Sequence, residues 1–242
     1  MSQNLPEFRS GVIRPVECLK EAYALIKDQY WLFLGITVVG LLIGGAVPIV
    51  LIGPMMCGIH LCLLQRMRGG PVEFGDLFKG FDYFGPSLIA TLIQFVPMII
   101  LIIPVYIVFF AMMMMIGATQ QRNGDPGVAL GMIVVMFFLV FIIMLIAVLV
   151  QAFFIFMYPL IVDKKLSGVD AVKTSLSAAK ANLGGVIGLT LLNFVLLFLG
   201  LLCCYIGAFA VLPVTTAATA VMYRKVFPEG FAQPAVAPQW QT

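Results

Sequence analysis

Apolar runs of eighteen residues or more alternate along this chain with short polar intervals, and the longest of those intervals, residues 158–185, is itself periodic. Ser167 followed by Asp170 has the spacing of a helix N-cap in capping-box style, with aspartate in place of the usual glutamate. From there Val169, Val172, Leu176, Ala179 and Leu183 fall on one helical face, within an arc of about 80°. Asp170, Thr174, Ser177 and Ala181 fall opposite, and Lys173 and Lys180 flank the apolar stripe. The pattern predicts an amphipathic helix over 167–183 that lies in a membrane–water interface and feeds the apolar run from Gly184.

The same pattern recurs. Residues 16–30 carry it 153 positions earlier, with Val16, Leu19, Tyr23, Ile26 and Tyr30 in the same phase. A weaker copy is Phe74, Leu77, Phe78, Phe81 and Phe84, interleaved with Asp76, Lys79 and Asp82. Each copy precedes a long apolar run with an internal break. The expected architecture is an all-α integral membrane protein: a six-span helical bundle of three units, each an interfacial helix followed by a transmembrane hairpin. The units run from about 15 to 68, 72 to 162 and 167 to 226, within one membrane domain over 1–227. Residues 228–242 form a Pro/Ala/Gln-rich tail expected to be flexible.

Glycine and proline place the breaks. The run 30–64 would measure about 52 Å as one helix, against a hydrocarbon core of about 30 Å. Gly44, Gly45, Pro48, Gly53 and Pro54 divide it into spans near 30–47 and 51–67, both short enough that a re-entrant pair stays open. Spans 86–116 and 128–162 are joined by the polar loop 117–127, and Pro97 and Pro104 are expected to kink the first. The last pair, 184–202 and 206–223, turns around 203–207.

Composition agrees. Hydrophobic residues make up 62% and charged residues 10%, against roughly 25% charged in soluble domains. Mean hydropathy is +1.09. The net charge of +3 matters less than its placement. With six spans, thirteen of the fourteen Lys and Arg lie on the side of the two termini, and only Arg122 lies opposite. The positive-inside rule then puts both termini in the cytoplasm of a cell with an inner, cytoplasmic membrane. Acidic residues at Glu7, Glu17, Glu21 and Asp28 are foreign to a cleavable signal peptide, so an uncleaved chain is expected.

No phosphate loop, HExxH, CxxC or GxSxG is present, and the five cysteines show neither a disulfide framework nor zinc spacing. No enzyme activity, cofactor or metal is expected. The single histidine, His60, lies in a span, where it can ligate haem or a pigment, carry protons or bond a neighbour. Without a partner motif, the hydrogen-bond role is the better reading. Counting from the cytoplasmic ends places Gln94, Gln151, Asn193 and Thr216 at a similar depth, with Thr215 and Thr219 nearby. This intramembrane polar layer, His60 included, either glues the bundle or lines a cytoplasm-facing cavity. No intramembrane charge accompanies it, which favours glue.

Several motifs together resemble the membrane domain that precedes some glycerophosphodiester phosphodiesterases, and a wider group of bacterial polytopic membrane proteins. They are Gly53-Pro54, Asp76-Leu77-Phe78-Lys79-Gly80-Phe81, Pro159-Leu160-Ile161-Val162-Asp163, Ala171-Val172-Lys173-Thr174-Ser175 with Asn182, and Gly207 with Pro213 before Tyr223. The resemblance implies a six-span bundle without the catalytic barrel of the phosphodiesterases. The expected role is a scaffold or accessory subunit; the alternative is a transporter or lipid-handling protein. Expected partners are membrane lipids and other membrane proteins, and no nucleic acid.

Overall fold

The structure, a computed structural model, describes residues 6–121, 126–202 and 206–229. Among them every regular element is helical: α1 (Pro15–Ile26), a 3-10 turn (Lys27–Gln29), α2 (Tyr30–Ala46), α3 (Pro48–Met67), a 3-10 segment (Phe74–Tyr83), α4 (Phe84–Gln121), α5 (Pro126–Phe153), α6 (Met157–Lys164), α7 (Gly168–Ala181), α8 (Leu183–Leu202) and α9 (Ile206–Val226). Five stretches among the described residues are long and apolar enough to cross a membrane: Pro15–Ala46, Pro48–Met67, Phe74–Ala118, Leu130–Lys164 and Leu183–Leu202. Helix α9 is 21 residues long, but it is diluted by Thr215, Thr216, Thr219, Arg224 and Lys225 and is not among the five.

The expected hairpin of α2 and α3 forms, turning at Val47 with Pro48 at the start of α3, where a missing N–H costs nothing. The 128–162 run is not one helix. It stops at Phe153, turns through 154–156 and resumes as α6. Pro159 has no N–H to donate to the carbonyl of Ile155. The hydroxyl of Ser175, reaching in from α7, takes up the loose ends: it donates to the Phe153 carbonyl at 2.8 Å and accepts from the Phe156 amide at 3.2 Å. Lys165, at φ 51°, then turns the chain toward α7. The loop expected at 117–127 is narrower than that, since α4 runs to Gln121. Residues 122–125, the turn at 203–205 with Cys203 and Cys204, and the tail beyond 229 lie outside the described residues.

The N-cap at Ser167 is as read: its side chain accepts from the Asp170 amide at 3.2 Å and donates to the Asp170 carboxylate at 2.6 Å. The face is not. Helix α7 buries Gly168, Ala171, Val172, Thr174, Ser175, Ala178 and Ala179, while Val169 and Leu183 are exposed and Leu176 is half-buried. Thr174, assigned to the wet face, is buried. Helix α1 behaves alike, burying Cys18, Ala22 and Ile26 and exposing Val16 and Tyr23. The third copy is a 3-10 helix, not an α-helix, capped reciprocally by Glu73 and Asp76. It buries Leu77 and Gly80 and turns Phe74, Phe78, Phe81 and Phe84 outward. A Cβ on Gly80 would strike the carbonyl of Pro54, and one on Gly58 the carbonyl of Leu77. These two glycines let the segment lie directly on the backbone of α3.

On α7 the inward face is therefore mostly small, while Val169, and Leu183 just past its end, lie outward. The core gathers where α3, α6, α7 and α9 meet, around Ile59, Leu63, Phe156, Leu160, Ala178 and Tyr223. The α4–α5 hairpin leaves this core behind. None of the most apolar window of Phe74–Ala118 or of Leu130–Lys164 is buried by the chain, against 56% for Pro48–Met67.

Candidate functional site

Ser87, Thr91 and Gln94 follow one another at i, i+4 and i+7, a spacing that puts them on one face of α4. All three are buried. The Ser87 hydroxyl donates to the Phe84 carbonyl at 3.0 Å, and the Thr91 hydroxyl to the Ser87 carbonyl at 2.7 Å. Helix α3 closes over this face at Gly53, where a Cβ would lie 2.8 Å from Thr91 Oγ1 and 2.9 Å from the Ser87 carbonyl oxygen. A side chain there would push α3 away from α4, which gives the Gly53-Pro54 pair a packing reason.

The face is completed from α5 and α6. Gln94 Nε2 donates to Gln151 Oε1 at 2.6 Å. The Tyr158 hydroxyl lies 3.4 Å from Gln94 Oε1 and 3.1 Å from Thr91 Oγ1. Two carboxamides, a phenol and a hydroxyl therefore form one connected network. Beside it opens a cavity of about 490 Å³, with Gln94, Gln151 and Tyr158 at its polar wall and Leu41, Ile52, Met56, Phe95 and Met98 opposite. Pro48, at the α2–α3 turn, also lines it, so the space extends toward that turn.

The remaining members of the expected layer lie elsewhere. Asn193 Nδ2 reaches the Thr215 carbonyl at 3.4 Å, joining α8 to α9, and its buried Oδ1 has no partner among the described residues. Thr215 and Thr216 bond the Leu212 carbonyl, and Thr219 bonds that of Thr215, all within α9. His60 Nδ1 pairs with the Met56 carbonyl at 2.8 Å, one turn back, and its buried Nε2 has no partner among the described residues. The single layer resolves into an α4–α5–α6 network, an α8–α9 contact and an isolated histidine. Thr91 and Tyr158 were missed, although the four-residue spacing of Ser87 and Thr91 was visible.

Among the described residues no group of three or more His, Cys, Asp or Glu could hold a metal ion. The network contains donors and acceptors but no ionised group, so it suits a neutral polar partner such as a hydroxyl or an ester carbonyl. No family model, curated protein or solved structure matches the chain.

Proposed function

We propose that this chain is a non-enzymatic, multi-pass inner-membrane protein, a scaffold or accessory subunit that offers its α4–α5 hairpin to neighbouring helices. The uncovered hairpin carries this reading. Helix α4 has 38 residues, about 57 Å at 1.5 Å per residue, nearly twice a hydrocarbon core of about 30 Å. Such mismatch is relieved by tilt or by association with other helices. Ile107, Phe110, Met114, Leu130 and Phe137 are all exposed along it.

Six spans with both termini cytoplasmic fit the charge distribution, α9 supplying the sixth as the antiparallel companion of α8. The burial phase supports a repeat of the first and third units: Cys18, Ala22 and Ile26 lie inward on α1, and Ala171, Ser175 and Ala179 inward on α7, each 153 positions later. The resemblance to the phosphodiesterase membrane domain agrees with a role that lies in the membrane part itself.

Photo-crosslinking residues at positions 107, 137 and 31 test the scaffold. Discrete protein adducts are expected from the first two, and lipid adducts only from position 31, where Trp31 is exposed on α2. Lipid adducts alone at all three would remove the scaffold reading. For topology, in a background without the native cysteines, a cysteine at 121 should label from outside intact cells and one at 177 should not; the reverse pattern would overturn the orientation. A second reading, lipid handling, is favoured by the 490 Å³ cavity with its uncharged polar wall. A lipid carries both an acyl chain for the apolar side and a polar group for the amides.

A further inference from the structure

The ends of α3, α6 and α9 meet at one buried carboxylate. The Asp163 side chain is 3% exposed, and Arg68 reaches it at 2.5 Å, Arg224 at 3.4 Å and Lys164 at 3.7 Å. The Tyr223 hydroxyl donates to it at 2.7 Å. A carboxylate so buried needs partners of this kind, and Asp163 has them in full. Yet both guanidiniums also reach outward to a second carboxylate. Arg68 Nε lies 2.8 Å and an Arg224 amino group 3.0 Å from Glu229 Oε1, on the segment after α9. Glu229 is 54% exposed, so nothing in the core requires it.

The two acids therefore have different standing. Asp163 is the inner counter-ion; Glu229 is an exposed carboxylate resting on a ready two-arginine fork. Guanidinium forks match carboxylate and phosphate oxygens alike. Three cations (Arg68, Lys164, Arg224) face two carboxylates here, and release of Glu229 leaves three facing one. Arg68 also borders a groove of about 420 Å³ with Gln65, Tyr83, Lys165 and Asp163, the last already paired with Arg68 and Arg224, which gives a phosphate space and further polar contacts. Basic residues at a membrane surface attract anionic headgroups.

We propose that Arg68 and Arg224 form a phosphate-binding site at the membrane surface, which Glu229 fills as an internal substitute for the ligand. The ligand is a phosphate group, carried by an anionic phospholipid or free in solution. The site does not depend on the scaffold reading, because it uses neither the hairpin nor the cavity.

The full chain in detergent, titrated with short-chain phosphatidylglycerol and separately with inorganic phosphate, tests this by native mass spectrometry and thermal shift. Glu229→Gln is expected to bind one probe at least threefold more tightly than the wild type. A gain with the lipid alone assigns the headgroup, and a gain with both assigns free phosphate as sufficient; either supports the site. Equal binding of wild type and Glu229→Gln to both probes overturns it. Arg68→Gln in the Glu229→Gln background should abolish the gain, with Arg224 and Lys164 still holding Asp163; a gain that persists in a folded double variant overturns the fork. Should that variant fail to fold, Glu17→Gln decides, since Glu17 is an exposed carboxylate paired with Arg14 and with neither arginine of the fork. An equal gain from Glu17→Gln would reduce the effect to general charge and overturn the site.

Discussion

The side-chain amide of Gln94 on α4 donates to that of Gln151 on α5 at 2.6 Å, while its oxygen accepts from the Tyr158 hydroxyl at 3.4 Å. Hydrogen bonds between helices in lipid are worth about 0.6–2 kcal/mol. Gln94→Leu and Gln151→Leu should each destabilise the protein in detergent. The double variant should lose less than the sum, by about the value of that bond, because the two amides depend on each other. Additive losses would mean that the contact contributes nothing. Separately, a cysteine at 151 should react with a small water-soluble thiol reagent if the cavity is wetted, and stay protected if lipid fills it.

The approach of Gly58 to the Leu77 carbonyl leaves no room for a side chain. Gly58→Ala should cost about 1–3 kcal/mol, as overpacking of a close contact does. Gly45→Ala, at the far end of α2 with nothing within 4 Å, should be near neutral. Thermal unfolding of the two variants side by side makes the comparison.

Ser175 bridges the break between α5 and α6. Ser175→Ala would strand the Phe153 carbonyl and the Phe156 amide that it now serves. A loss of about 1–3 kcal/mol is expected, as for other buried groups left unsatisfied. Ser177→Asp, on the exposed side of α7, should be tolerated. Equal damage from both would show that α7 is enclosed all round.

Glu229 should titrate low. Its hydrogen bond from Arg68, helped by the charge of Arg224, holds its carboxyl below the ordinary value of about 4.3, against the opposing influence of partial burial and of Asp163. A depressed carboxylate contributes stability above its ordinary value and loses it as pH falls through its folded value. The Glu229 carbon resonance should therefore titrate below the ordinary glutamate value and move up toward it in Arg68→Gln, with Arg224 still in place. An ordinary midpoint in the unaltered chain would show that the contact does not persist in solution.

Helix positions were legible because hydropathy, glycine and proline mark them, and Ser167 announces the start of α7. The break at 154–156 was hidden inside the uniformly apolar Phe-Phe-Ile-Phe-Met. The faces of α1 and α7 were hidden for a deeper reason. In water an apolar stripe has one destination, the core. Beside lipid it has two, so Val169 and Leu183 face outward while Ala171, Ser175 and Ala178 pack inward. The polar layer was legible in part: residue counting gives depth and brought out the Gln94–Gln151 pair, but only packing gives azimuth, and Asn193 points to α9 rather than to Gln94.

Helix α1 lies against α9, across an interval of about two hundred residues. Lys225 pairs with Glu21 at 2.8 Å, the Arg9 amide donates to the Val226 carbonyl at 2.9 Å, and Phe8 meets Phe227 edge-on at 6.1 Å. Asn182 ties the same N-terminal segment to the end of α7, accepting from the Gly11 amide at 2.8 Å and donating to the Arg9 carbonyl at 3.0 Å. During synthesis the contacts of Lys225, Val226 and Phe227 must therefore form last, because α9 is the final helix among the described residues to leave the ribosome. A chain stalled before residue 206 can still form its earlier helix pairs, but Glu21 and Phe8 then lack the partners that Lys225 and Phe227 give them, and the two ends of the chain stay unjoined.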